Sequence, residues 1–159
     1  MQTIRILALG KCKEDYLRKG CQEYEKRLSR FCKLEIIESE PAALSQNPSA
    51  REIKQALEKE GEMLLKRIRG TCIALCVEGN QLSSPALAQK LAAAASGGEN
   101  GAVTFCIGSS YGLSEQVKAR ADLKLSMSEM TFPHQLARLM LLEQIYRSYQ
   151  ILTGTKYHK

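Results

Sequence analysis

Tryptophan is absent, histidine occurs twice, proline four times, and aromatic residues make up 6% of the 159 residues. With only His134 and His158 available, there is little to build a zinc site from, and no metal is expected. None of the six cysteines forms a C-x-x-C pair, and Cys72, Cys76 and Cys106 fall inside apolar runs, where cysteine behaves as a small hydrophobe. Free thiols, with a Met1-Gln-Thr-Ile-Arg start that lacks a signal-peptide layout, point to a reducing cytoplasm. No apolar run approaches the length of a membrane span, so no membrane partner is expected. There is no repeat and no low-complexity segment. The net charge of +6 is mild and spread along the chain, which permits a polyanionic partner without requiring one.

What is present is a single domain's worth of chain, residues 1–159, with alternating strand and helix patterns. The central stretch is Ala102-Val-Thr-Phe-Cys-Ile-Gly-Ser-Ser-Tyr-Gly-Leu-Ser114. Residues 102–107 read as a buried strand, Gly108 and Gly112 bracket a loop, and Ser114 caps a short helix. That layout brings backbone N–H groups to a ligand at the C-terminal end of a parallel strand, although a tight turn with no ligand has the same signature.

Around it, Ile4–Leu9 reads as a first strand, 11–30 as an amphipathic helix and 34–38 as a second strand. A helix begins at Ser49, with Ile53, Leu57, Leu64 and Ile68 on one face, solvated lysines and glutamates on the rest, and Gly70 as its end. Residues 71–77 are a third, doubly covered strand, followed by a turn at Glu78-Gly-Asn-Gln81. Ser83-Ser-Pro85 opens an alanine-rich helix that stops at Gly97-Gly98. Asp122–Ser126 is a fifth strand, 127–132 a loop, and Pro133–Thr153 a long final helix before a short tail. The expected fold is α/β, a mainly parallel five-stranded sheet between two helical layers. The last helix shows two apolar stripes, Leu136/Leu139/Met140/Tyr146 and Ala137/Leu141/Ile145/Tyr149/Leu152. One sheet needs only one stripe, so the second points to a homodimer.

Three loops stand at strand ends that meet at one edge of such a sheet: Leu75–Asn80, Gly108–Gly112 and Ser126–His134. Together they can cradle a small cofactor through main-chain contacts. No acidic residue follows a G-x-G-x-x-G, so a dinucleotide fingerprint is missing. A rival reading takes Gly108-Ser-Ser-Tyr-Gly112 as the G-x-S-x-G elbow of a serine hydrolase, with Ser110 as nucleophile and Asp122 and His134 or His158 behind it. The chain is short for that fold and has no glycine-rich oxyanion loop after an earlier strand. At the C-terminus, Tyr157-His158-Lys159 sets an aromatic ring, a titratable group and a cation side by side, a combination suited to RNA.

Taken together, Ile107–Ser114, the run Leu125-Ser-Met-Ser-Glu-Met-Thr-Phe-Pro-His-Gln-Leu-Ala-Arg138, Glu143-Gln-Ile-Tyr-Arg147 and the terminal Tyr157-His-Lys resemble the RlmH family over the whole chain. Leu7-Ala-Leu-Gly-Lys11 and Lys59-Glu-Gly-Glu62 fit it too. The resemblance implies a SPOUT-class methyltransferase: a C-terminal trefoil knot, a homodimer, S-adenosyl-L-methionine held in the knot, and methylation of N3 of a pseudouridine in the helix 69 loop of 23S rRNA in the ribosome. Nothing in the residue pattern itself shows a knot, since chain connections rarely thread. By the same resemblance the cofactor touches Leu75, Gly108, Met127, Ser128, Glu129, Met130, Thr131 and Phe132. The tail would bring Tyr157 and His158 to the partner's site. His158 is then the first candidate to take or position the N3 proton, with His134 in reserve, and Arg138 or Arg147 would stabilise the developing anion or hold a phosphate. One departure stands out: Ser109 occupies a position where the family usually has glycine. If it crowded the cofactor loop, the chain would be a non-catalytic ribosome-binding protein.

Overall fold

In a computed structural model that describes residues 1–159, five parallel strands form one sheet in the order β2-β1-β4-β3-β5. The strands are β1 (Gln2–Leu9), β2 (Cys32–Ser39), β3 (Thr71–Gln81), β4 (Val103–Ile107) and β5 (Leu123–Ser126). Parallel neighbours cannot be joined by hairpins, so helices carry every crossover. These are α1 (Asp15–Leu28), α2 (Ala50–Leu65), α3 (Ser84–Ala95), a one-turn α4 (Gly98–Gly101) and α5 (Glu115–Arg120), with α6 (His134–Leu152) after the last strand.

The sheet is covered on both faces, as an all-parallel sheet must be. On one face Ile4, Ile6, Ile73 and Phe105 meet Leu87 and Leu91 of α3 and Leu141, Leu142 and Ile145 of α6. On the other, Leu7, Leu9 and Cys106 meet Leu64 of α2 and Leu113 and Val117 at α5. Every residue of β4 is buried, which makes it the centre of the fold. Phe105 lies in register with both Ile6 and Ile73. Burying one such side chain contributes about 1.5–3 kcal/mol.

Serines cap three of the crossover helices, α2, α3 and α5. Ser49 accepts from the Glu52 N–H while the Glu52 side chain accepts from the Ser49 N–H. Ser83 and Ser114 accept from the Ala86 and Val117 N–H groups.

Helix α1 is shorter than the 11–30 expected and β2 longer than 34–38, and three further boundaries differ for reasons the structure shows. The Glu78–Gln81 segment is not a terminal turn, because β3 bulges after Leu75 and rejoins β5 at Asn80. Gly79 permits this: a Cβ there would lie 2.6 Å from the Lys124 carbonyl oxygen of the adjacent strand. Helix α2 ends at Leu65 and not at Gly70, yet Ile68 is buried in the turn beyond it. The Gly97-Gly98 stop leads into a turn in which Glu99 and Asn100 adopt left-handed backbone angles.

Helix α6 has one stripe, Leu141, Ile145 and Tyr149, buried in the core. The second stripe is half-buried. Leu139 packs on Gly20 of α1, and Tyr146 meets Tyr24 and Phe31 edge-on. Between them a groove of about 500 Å³ remains open, lined by Leu136, Leu139, Met140 and Glu143 and reaching Leu125 and Met127.

Candidate active site

The C-terminal ends of β3, β4 and β5 open into one cleft of about 810 Å³, within the range of small-molecule sites. Strand β4 delivers the 108–112 loop, which is closed by a 2.9 Å hydrogen bond from the Gly112 N–H to the Ser109 carbonyl. Strand β5 delivers the second wall. There the Ser126 hydroxyl donates to the Ser128 carbonyl at 2.9 Å, and the Met130 N–H donates to Ser128 Oγ at 3.0 Å. These two bonds curl residues 126–130 so that Met127, Ser128, Met130, Thr131 and Phe132 line the cleft. Strand β3 contributes Leu75 through Glu78 at its bulge. The three loops expected to converge do so.

A charged pair sits on this wall: Lys118 Nζ is 2.6 Å from Glu78 Oε1. The hydrogen bond between them holds the Glu78 carboxyl below its ordinary range and raises the Lys118 ammonium. The rest of the lining is largely apolar, with Leu75, Ile107, Leu113, Leu125 and Phe132 among it.

His134 opens α6 and lines the cleft. Burial first, and then the charge of Arg138, lower its pKa from the ordinary 6.5. The imidazole is therefore neutral at physiological pH and can accept a proton. A depressed histidine pKa favours the neutral form in the folded state. Its contribution to stability is complete above 6.5 and is lost as pH falls through 6.5 toward the folded value. An NMR titration should give His134 a midpoint below 6.5, and His134→Gln should flatten the acid side of the stability profile.

The chain's other expected site residues lie elsewhere. Arg138 is 5% exposed and is not a cleft residue. Its Nη1 donates to Glu38 Oε2 at 2.6 Å and its Nη2 to the Gly10 carbonyl at 3.0 Å, tying α6 to the ends of β2 and β1. Glu129 is exposed and outside the lining. Tyr157 folds back on its own α6: its hydroxyl donates to Glu143 Oε1 at 3.1 Å and its ring meets Tyr146 at 5.0 Å. The Arg147 guanidinium lies 4.8 Å from the Tyr157 ring, and its Nη1 is 3.2 Å from His158 Nδ1. Burial and contacts with Tyr24 and Glu143 push the Tyr157 phenol up.

The hydrolase reading fails on geometry. Ser110 is exposed in the 108–112 loop, at the C-terminal end of β4. Asp122 precedes β5, where its carboxylate accepts from the Cys72 N–H at 2.8 Å, at the opposite end of the sheet. His158 is held by Arg147. No Ser-His-Asp relay connects them.

A family model described as predicted SPOUT methyltransferase matches residues 1–158. The ribosomal RNA large subunit methyltransferase H of Acetivibrio thermocellus is 49% identical over 158 residues, 98% of this chain and 99% of that one. Its counterpart in Clostridioides difficile is 48% identical over 159 residues, 99% of each chain. The chain belongs to the RlmH family of SPOUT methyltransferases. The crystal structure of the SpoU methyltransferase AviRb from Streptomyces viridochromogenes in complex with AdoMet aligns with a TM-score of 0.44 and 9% identity. It covers 95% of this chain and 58% of that one.

Ser109 causes no backbone strain, because it is not among the residues with positive φ. Its hydroxyl donates to Glu60 Oε1 on α2 at 3.0 Å. Glu60 lies in the Lys59-Glu-Gly-Glu62 stretch that resembles the family, but its residue pattern assigns it no role. It sits among lysines and glutamates on a helix, and only the fold reveals that it is buried.

Proposed function

We propose that this RlmH-family chain is an S-adenosylmethionine-dependent methyltransferase of large-subunit rRNA. Its target in this reading is N3 of a pseudouridine in the helix 69 loop, in the ribosome and hence in the cytoplasm. The observation that carries the reading is the convergence of the three strand-end loops on one cleft. The residues present fit the cofactor: an apolar wall of Leu75, Leu125 and Phe132 suits a purine, and the 108–112 and 126–132 loops offer backbone polar groups at its edge. The reading includes the family's trefoil knot around this cleft.

When bound, S-adenosylmethionine supplies an electrophilic methyl group on a sulfonium. The chain's task is alignment and proton removal, since displacement needs the acceptor nitrogen in line and an imide N–H is mostly protonated at neutral pH. His134, neutral and in the cleft, takes or orients that proton. Burial, and then the charge of Arg138, favours the neutral imidazole, and Arg138 also fixes the start of α6.

The homodimer belongs to the same reading. The groove on α6 and the cleft share Leu125 and Met127, so a second copy seated on the groove borders the cleft. Tyr157 is anchored on Glu143, a groove residue. A partner seated there would carry its own tail to the rim of the opposite cleft, giving His158 and Tyr157 access to substrate.

Calorimetric titration with S-adenosylhomocysteine tests the cofactor site. One saturable site, weakened on the order of a hundredfold by Phe132→Asp, is expected, because an unpaired carboxylate in an apolar wall is strongly unfavourable. Binding unaffected by that substitution would contradict the assignment of the cleft.

A further inference from the structure

Glu60 is 3% exposed, yet both of its hydrogen-bond donors are neutral. Its Oε1 accepts from the Ser109 hydroxyl at 3.0 Å, and its Oε2 accepts from the Ala42 N–H at 2.9 Å. A buried carboxylate without a cation is an expensive way to fill a helix position that an apolar residue would fill better. The next residue, Gly61, lies close beneath the cap of α5, where only glycine fits: a Cβ there would lie 2.2 Å from Ser114 Oγ. Thus two consecutive residues of α2 lie against the 108–114 segment, Glu60 bonded to Ser109 and Gly61 in close approach at Ser114.

We propose that Glu60 is a positioning residue for the cofactor loop, acting through Ser109. The inference rests on the reading that the cleft holds S-adenosylmethionine. The Ser109 hydroxyl is what Glu60 captures, and it gives the loop an anchor in addition to the Ser109–Gly112 bond that closes it. Glu60 does not touch the ligand. It holds the loop's backbone where the ligand meets it, and the Ala42 bond steadies the carboxylate from the far side.

The test compares Ser109→Ala, Glu60→Met and the double variant by two readouts. The first is amide hydrogen exchange of residues 108–112 in the unliganded protein, which needs no cofactor. Ser109→Ala should speed exchange there about tenfold, the scale of a hydrogen bond to a carboxylate, and leave β1 and β4 protected. The second is affinity for S-adenosylhomocysteine, expected to fall about tenfold in either single variant and no further in the double, since both remove one link. A methyl-transfer assay should show the loss in KM for the cofactor with kcat retained. Unchanged exchange at 108–112, or additive losses in the double variant, would overturn the proposal. So would a lowered melting temperature with affinity intact, which is what a merely structural role gives. If the unsubstituted chain bound no S-adenosylhomocysteine, the positioning role would fall with the cofactor assignment, and the exchange result would show whether the tether itself exists.

Discussion

Gly108→Ala is expected to weaken cofactor binding on the order of a hundredfold, the usual result of shifting a site by about an ångström. A Cβ at Gly108 would lie 2.3 Å from the Gly112 carbonyl oxygen and 2.4 Å from its carbon. Both are backbone atoms and cannot rotate away, so the loop must open. The Ser109–Gly112 bridge that closes it would be lost, and with it the wall of the cleft. Overpacking of this kind destabilises by about 1–3 kcal/mol, so the melting temperature should fall by about 5–10 °C with the fold retained. Gly112→Ala is the informative contrast. Gly112 has φ +87 but open space around its Cβ position. Its substitution costs about 1–2 kcal/mol of backbone strain and should disturb binding less. Titration of both variants checks the ranking, and equal affinities would show that the loop does not form the ligand's wall.

Removing Tyr157–Lys159 is expected to lower methyl transfer by about a hundredfold, the scale of losing alignment of the acceptor nitrogen. Cofactor affinity should be nearly unchanged, since no tail residue lines the cleft of its own chain. Within one chain His158 is tied to Arg147 and Tyr157 to Glu143, so the tail works only if it reaches the cleft of another copy. Mixing the tail-deleted chain with the Gly108→Ala chain separates the two arrangements. Each mixed dimer pairs one intact cleft with the intact tail of its partner. Random exchange should restore about a quarter of the full activity. A mixture as inactive as its components would mean that the tail acts in its own chain.

The parts of this molecule governed by local pattern were legible in the sequence. The apolar run before Gly108 is the central strand, and the serines at 49, 83 and 114 are the helix caps. The loops at 75, 108 and 127 converge because parallel strands deliver their C-terminal ends to one edge. What could not be read depends on partners far along the chain. The bulge in β3 exists because Gly79 meets the backbone of Lys124. Arg138 looked like a free cation for an anionic transition state, but Glu38, on β2, claims it. Glu60 looked like one more solvated glutamate on α2, and only the position of Ser109 shows otherwise. The family resemblance sets His158 ahead of His134 because it implies a tail that reaches the partner's site. The fold sets His134 in the cleft and holds His158 on α6.

The most direct test of the account is tritium transfer from methyl-labelled S-adenosylmethionine to ribosomes lacking the native modification, with the labelled nucleotide mapped. Label is expected on N3 of a pseudouridine in the helix 69 loop of the large-subunit rRNA, abolished by Gly108→Ala. Label on another nucleotide would contradict the target, and no label from an intact, ribosome-binding protein would contradict the enzyme.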